Sequence, residues 1–230
     1  MAVSVDTVYQ RVLAILNKEQ RGYLTPEEYN LFANQAQLDI FEQYFYDINQ
    51  FDRMHGNSTE YSDMLNLLNE KISIFQKTST LSYSNDYYQE PTDSYRIGTL
   101  IYNGSEAERV NNNEYLYISS TPVAAPTNDF PIYTRDENGF KVFGSAEFDG
   151  SQTVKCNYVK KPATVIWNYT MVLGNAQYTA TGTQNFELHD SEETELIIKI
   201  LALAGLLVQD LGVYQVASQE EAKDIQQEKA

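Results

Sequence analysis

With 230 residues and 42% hydrophobic side chains, the chain is long enough to bury a core as one large domain or two small ones. Its 32 acidic against 16 basic side chains give a formal charge of -16. That excludes a general grip on nucleic-acid phosphates, which needs clustered Lys and Arg, while a carboxylate-rich wall lets a polyanion slide past.

In chain order, the N-terminus Met1-Ala2-Val3-Ser4-Val5-Asp6 lacks a basic segment followed by an apolar core, so no signal peptide and synthesis in the cytoplasm are expected. Residues 4 to 19 read as a first helix, with Val5, Val8, Tyr9, Val12, Ile15 and Leu16 on one face and Ser4 or Asp6 as cap. Arg21-Gly22-Tyr23-Leu24 turns the chain into the longest predicted element, Thr25 to Phe51. Thr25-Pro26-Glu27-Glu28 is a capping box with proline at the first helical position. Tyr29, Phe32, Ala33, Ala36, Ile40, Tyr44, Ile48 and Phe51 then form one apolar stripe, and Leu31, Leu38, Phe41 and Phe45 widen it to more than half the girth. At 1.5 Å per residue the helix is a rod of roughly 40 Å, too apolar to be covered by one neighbour. A polar connector, Arg53 to Ser58 with Gly56-Asn57, leads to a third helix from Thr59 to Lys77, with Tyr61, Met64, Leu65, Leu68, Ile72 and Phe75 inward.

From Thr78 to about Phe186 the composition turns to Tyr, Ser, Thr and Asn, and alternation replaces the helical period. Tyr95 to Tyr102 reads as a strand and Val110 to Ser119 as a short helix or turn. Pro122, Pro126 and Pro131 then prevent regular structure. Phe130 to Thr134 and Gly139 to Phe143 form a predicted hairpin across Asp136-Glu137-Asn138-Gly139, whose Asn-Gly pair suits positive φ. Thr153 to Lys160 is the clearest strand, with Val154, Cys156 and Tyr158 on one face. As the only cysteine, Cys156 rules out an internal disulfide and a thiolate metal cage and is expected to pack as a small hydrophobe. Pro162 ends the strand, and Ala163 to Thr181 is less regular. Asp190-Ser191-Glu192-Glu193 is a second capping box, followed by the most apolar helix, Leu196 to Val208, too short to span a bilayer and interrupted by Lys199. Gly212 separates it from a polar closing helix, Val213 to Lys229. The expected fold class is α+β, with an N-terminal helical bundle over 1–79, a β-rich middle section over 80–187, and C-terminal helices over 188–230 packing back on the bundle.

Enzyme signatures are missing. His55 and His189 are not spaced with other ligands as a zinc site requires, and Asp136 to Gly139 lacks the alternating oxygens and distal Glu of a calcium loop. There is no Walker A loop, nucleophile elbow or dinucleotide fingerprint. The carboxylate pairs Glu27/Glu28 and Glu192/Glu193 are accounted for by helix capping, which leaves a two-carboxylate glycosidase as a minor alternative. Asn-x-Ser/Thr triplets at Asn57, Asn103 and Asn168 matter only in a secretory pathway. No catalytic residue, cofactor or metal site is expected. Charge distribution says more: Glu27, Glu28, Asp39, Glu42, Asp47 and Asp52, with no Lys or Arg from Thr25 to Asp52, give the long helix a one-sign flank. That flank could serve solubility, line a channel, or dock a basic partner.

Four pieces of the sequence resemble head-to-tail connector proteins of tailed bacteriophages, most closely the ring or adaptor proteins of crAss-like and related podoviruses. They are Thr7-Val8-Tyr9 with Leu13, then Leu24-Thr25-Pro26-Glu27-Glu28-Tyr29-Asn30 and Asn34-Gln35-Ala36-Gln37-Leu38; Ser119-Ser120-Thr121-Pro122 with Ala125-Pro126-Thr127 and Phe130-Pro131-Ile132-Tyr133; Tyr158-Val159-Lys160-Lys161-Pro162 followed by Trp167; and Phe186-Glu187-Leu188-His189 before Glu192-Glu193 and an apolar helix. The resemblance implies a virion structural protein without enzymatic activity, made in the host cytoplasm and placed in the neck or tail. Such subunits form a ring, commonly of about twelve copies, that meets the portal protein and other tail ring proteins while DNA passes through the centre; no membrane is involved. Better known adaptors are almost wholly helical, whereas residues 80 to 186 here read as strand and loop. Phe41, Tyr44, Phe45, Tyr158, Lys160, Lys161 and Trp167 are the candidate subunit-interface residues. A glycan-binding module of a phage tail or surface protein is the alternative, suggested by the Tyr and Asn of the middle section.

Overall fold

A computed structural model describes residues 3–18, 24–53, 59–144, 152–207 and 219. The expected connector with His55 and the expected closing helix with Gly212 therefore lie outside the described residues, apart from Arg53 and position 219. The fold is α+β. It is built as two compact units, a helical one made of Met1–Ile74 with Pro162–Ala230 and a sheet one made of Phe75–Lys161. Residues 162–187, which composition groups with the middle section, belong with the helices.

The helical unit contains α1 (Val5–Lys18), α2 (Pro26–Arg53), α3 (Thr59–Ser73) and α5 (Glu193–Leu207). Ser4 starts α1: its carbonyl accepts from Val8 N–H and its hydroxyl from Thr7 N–H. Val5, Val8, Tyr9, Val12 and Leu16 are buried as their spacing predicts, but Ile15 is exposed. At α2 the capping box forms: Thr25 N–H donates to Glu28 Oε2 at 2.9 Å, and Glu28 N–H to Thr25 Oγ1 at 3.3 Å. Bonds from the Thr25 amide and hydroxyl hold the Glu28 carboxyl below the usual range. The α2 stripe Tyr29, Ala33, Ala36, Ile40 and Tyr44 is buried in its own chain, together with Phe41, Gln37 and Asp47. The acidic flank is thus shorter than the sequence suggests, because Asp47 points inward and Glu28 caps the helix. Both α3 and α5 pack on α2, and α5 also on α1.

α3 stops at Ser73, earlier than its apolar period implies. Gln76–Thr80 becomes strand β1 instead, pairing along its whole length with Val154–Lys160. Five β-ladder partners outweigh one more helical turn through the Thr78-Ser79-Thr80 run, which favours strand.

The second predicted capping box forms differently. His189 is the cap, its Nδ1 accepting from Ser191 N–H, and Asp190–Glu192 make a 3-10 turn before α5 begins at Glu193. Glu192 is buried, and its Oε1 lies 2.7 Å from Lys71 Nζ and accepts from the Ser191 hydroxyl. Among the described residues no helix is long and apolar enough to cross a membrane.

In the sheet unit, β1 (Gln76–Thr80), β2 (Tyr83–Ser84), β3 (Tyr87–Tyr88), β4 (Ser94–Tyr102), β5 (Ser105–Arg109), β6 (Ile132–Asp136), β7 (Gly139–Phe143) and β8 (Val154–Lys160) pair in the order β1-β8-β4-β5-β6-β7-β3-β2. All pairings are antiparallel except β5–β6, which is parallel. Since Gln76 faces Val159, the unit's two ends lie side by side, as an inserted unit requires. The core is Leu81, Tyr88, Leu100, Tyr102, Ala107, Tyr133, Phe140, Val142, Val154, Cys156 and Tyr158, so β8 alternates as its sequence predicts. α4 (Asn112–Ser120) follows β5, with no buried residue of its own.

The predicted β6–β7 hairpin forms, but Asn138 does not take positive φ; only Gly139 does, at +129°. Its glycine is required for another reason, because a Cβ there would run into the carbonyl oxygen of Tyr88 on β3. The left-handed two-residue turns lie elsewhere: Asn85-Asp86 between β2 and β3, Asn103-Gly104 between β4 and β5, and Leu173-Gly174 in a hairpin of the helical unit.

Candidate functional site

The segment following β8 is the least helical part of the helical unit, and α2 holds it by side-chain amides. Asn34 accepts from Val165 N–H at 2.7 Å and donates to Val165 C=O at 2.9 Å. Asn30 does the same to Trp167, at 2.8 and 3.3 Å. Gln37 donates to Ala163 C=O at 2.9 Å and accepts from Glu187 N–H at 3.1 Å, while Glu187 in turn accepts from Ala163 N–H. The spacing is close to what geometry needs: on a helix the four-residue step from 30 to 34 rises about 6.0 Å and the three-residue step from 34 to 37 about 4.5 Å, against about 6.6 Å for two residues of extended chain, and the longer Gln side chain at 37 spans the difference. Residues 30, 34 and 37 can therefore read every second backbone unit at 167, 165 and 163. On its far side the segment bridges Ile166 to Gln184.

Trp167 anchors the arrangement. It is buried, its indole N–H donates to Asp6 at 2.9 Å, and its ring lies 4.2 Å from Tyr9 and near Tyr169 and Tyr178. Tyr29, whose hydroxyl donates to Val5 C=O, has its phenol pKa pushed up by burial and by neighbouring Tyr9 and Asp6.

Of the interface residues expected from sequence, Phe41, Tyr44 and Trp167 are buried, as is Tyr158, whose hydroxyl donates to Asp93 at 2.8 Å. Phe45 is half-buried with its ring edge-on to Phe41, Lys160 is half-buried, and Lys161 is exposed. Large aromatics have the most to gain from burial, so in this fold they are spent on the chain's own core. Other residues carry the exposed apolar surface.

On α2, Leu31 (70% exposed), Leu38 and Tyr46 face outward, interleaved with Gln35, Asp39 and Glu42. Beyond Trp167, β9 (Tyr169–Val172) and β10 (Asn175–Tyr178) form a separate two-stranded hairpin. Met171 and Val172 at its end are exposed, and Leu173 at the turn is 99% exposed. Leu173 has φ +51°. The other two left-handed turns fill that first position with Asn, the residue suited to it, whereas a bulky side chain there costs about 1–2 kcal/mol. Strain at a fully exposed leucine has no folding benefit to set against it.

In the sheet unit, β5 leaves β4 to join β6. The β4–β5 ladder starts only at Leu100 opposite Ala107, and Glu108 and Arg109 already pair with Ile132 and Tyr133. A bulge at Gly98-Thr99, where β4 takes three steps against two on β8, widens the gap. Between the diverging strands and the loop after α4 lies an open cleft of about 800 Å³, lined by Gly98, Ile118, Val123, Pro126, Phe130 and Ile132, with Glu106, Glu108 and Arg109 also on its wall. Val123 (98% exposed) and Phe130 (79%) project at its edge.

These surfaces share a feature visible in the sequence. Residues 162–186 contain no charged side chain, nor do 115–128, although 48 of 230 residues are charged. Among the described residues no group of three or more His, Cys, Asp or Glu could hold a metal ion. Cys156 is buried, which pushes its thiol pKa up to about 11 and leaves little thiolate for chemistry at neutral pH. Compared with known proteins, the chain matches no family model, and no curated protein matches it significantly.

Proposed function

We propose that the protein is a non-enzymatic virion component, a ring or adaptor subunit between the portal and the tail of a bacteriophage, through which DNA passes without specific binding. The observation that carries this reading is the outward row Leu31, Leu38 and Tyr46 on α2. It is apolar surface on the longest helix, left over after the chain has satisfied the helix's inward stripe. A ring offers each copy the same neighbour on both sides through a heterologous interface that closes. The net charge of -16 suits a lumen that a polyanion traverses. The ordered run of connector-like motifs from Thr7 to Glu193 supports the same reading, and the inserted sheet unit supplies surface for adjoining neck proteins.

The test is size-exclusion chromatography with light scattering, and negative-stain imaging, on the protein alone and mixed with its portal. Annular particles or a portal complex are expected. A stable monomer under both conditions would overturn the proposal. If a carbohydrate array bound the protein at the exposed tyrosines of the sheet unit, the reading would pass to a glycan-binding module.

A further inference from the structure

The geometry points to a peg-and-socket joint between copies of this chain: the β9–β10 hairpin of one copy seats its Met171-Val172-Leu173 tip in the cleft between β4 and β5–β6 of the next. This rests on the reading that copies associate side by side, and it names where they meet. Electrostatics selects a second copy as the occupant. Two chains of charge -16 repel, so close approach between them favours surface without carboxylates. The charge-free stretches 162–186 and 115–128 are such surface, and they hold the hairpin and the cleft's overhanging loop, so the uncharged peg meets no like-charge repulsion from Glu106 and Glu108 on the opposite wall, where Arg109 also lies.

The two partners are also opposite in shape. One is a convex tip with Leu173 99% exposed, and the other an open cleft of mixed lining, with Glu106, Glu108 and Arg109 on one wall and an apolar edge at Val123 and Phe130. At about 800 Å³ the cleft lies within the size range of sites that enclose a bound group of several side chains. Gly98 and Thr99 lie before the start of the β4–β5 ladder and line the cleft. The leucine held at φ +51° fits this role: a tight turn projects one large side chain beyond both strands, which makes it an anchor. Because peg and socket are different surfaces of the same chain, the joint is heterologous and repeats from copy to copy, as ring closure requires.

The experiment uses the full chain with Leu173→Asp to spoil the peg and, separately, Val123→Asp with Phe130→Asp to spoil the socket. All three positions are largely exposed, and Asp tolerates the left-handed turn better than Leu. Circular dichroism and Trp167 fluorescence first establish that each variant is folded. Each alone should self-associate at least roughly thirtyfold more weakly than the parent, the loss expected for a central anchor. A one-to-one mixture should form dimers and nothing larger, because only one intact peg meets one intact socket. Rings that persist in the Leu173→Asp variant, or a mixture that stays monomeric, would overturn the joint while leaving ring assembly intact. Rings that persist while portal binding is lost would instead assign the hairpin to the portal. A parent chain that is monomeric with and without portal removes both this inference and the reading it rests on.

Discussion

Replacing Asn34 by Ala tests whether the amide ladder on α2, more than apolar packing alone, holds the 162–187 segment. The substitution removes two bonds to Val165, at 2.7 and 2.9 Å, each worth about 1 kcal/mol net. It also leaves the N–H and C=O of buried Val165 without those partners, for which about 1 kcal/mol more is taken because removing the half-buried Asn34 side chain lets water approach them. Alanine's better helix propensity returns about 0.5 kcal/mol. The expected loss is therefore about 2–3 kcal/mol. With a urea slope of about 2 kcal/mol/M, the midpoint should fall by roughly 1–1.5 M. Trp167 is the only tryptophan and sits two residues along the ladder, so its fluorescence reports this segment directly, with far-ultraviolet circular dichroism following the helices. Asn49→Ala is the matched control. Asn49 lies on the same helix, and among the described residues its amide donates to the carbonyl one turn back, in an exposed position, so that variant should stay within about 0.5 kcal/mol of the parent. If the two variants prove equally stable, the ladder is incidental and the segment is held by Trp167 and its aromatic neighbours alone.

Three further outcomes are expected. Lys71→Met strands the buried Glu192 carboxylate and should cost about 3 kcal/mol, a fall of roughly 6–12 °C in the thermal midpoint. Adding Glu192→Gln should recover most of it, and failure of that rescue would mean Lys71 matters through its packing on Tyr44. Hydrogen bonds from Lys77 and Tyr158 hold the Asp93 carboxyl below its ordinary value of 3.8. Its contribution to the sheet unit is thus complete at neutral pH and is lost as the pH falls through that lowered value. In acid titrations followed by tyrosine near-ultraviolet circular dichroism, Asp93→Asn should be less stable at pH 7 and show a shallower loss below about pH 4, whereas an unchanged acid limb would contradict the assignment. Cys156, buried and with its pKa raised to about 11, should react with a disulfide reagent at pH 8 at least about a hundredfold more slowly in the folded protein than in urea. Rates that match would show that the β8 face is open.

Local signals fixed the start of α2 and the strongest strand. The Thr25/Glu28 box needs only four consecutive residues to form, and the inward set of β8 follows from alternation along seven. Both are decided by neighbours in the chain, so pattern suffices. The α3 boundary was not legible: Phe75 to Thr80 can continue a helix or pair with a strand, and β8, far along the chain, settles it. Likewise Asn30, Asn34 and Gln37 are ordinary polar positions on a helix until the 163–167 backbone lies alongside them.

The same contrast governs the candidate site. Composition and pattern alone determined that this is an acidic, α+β chain with a long apolar helix and two stretches free of charge. Which aromatics would face outward was a tertiary decision. Phe41, Tyr44, Tyr158 and Trp167 sit where neighbouring elements cover them, so their large apolar areas are withdrawn from water. Leu31, Val123, Phe130 and Leu173 stay outside because a helix back, a proline-punctuated loop and a hairpin turn point them there, and only the assembled backbone defines those directions.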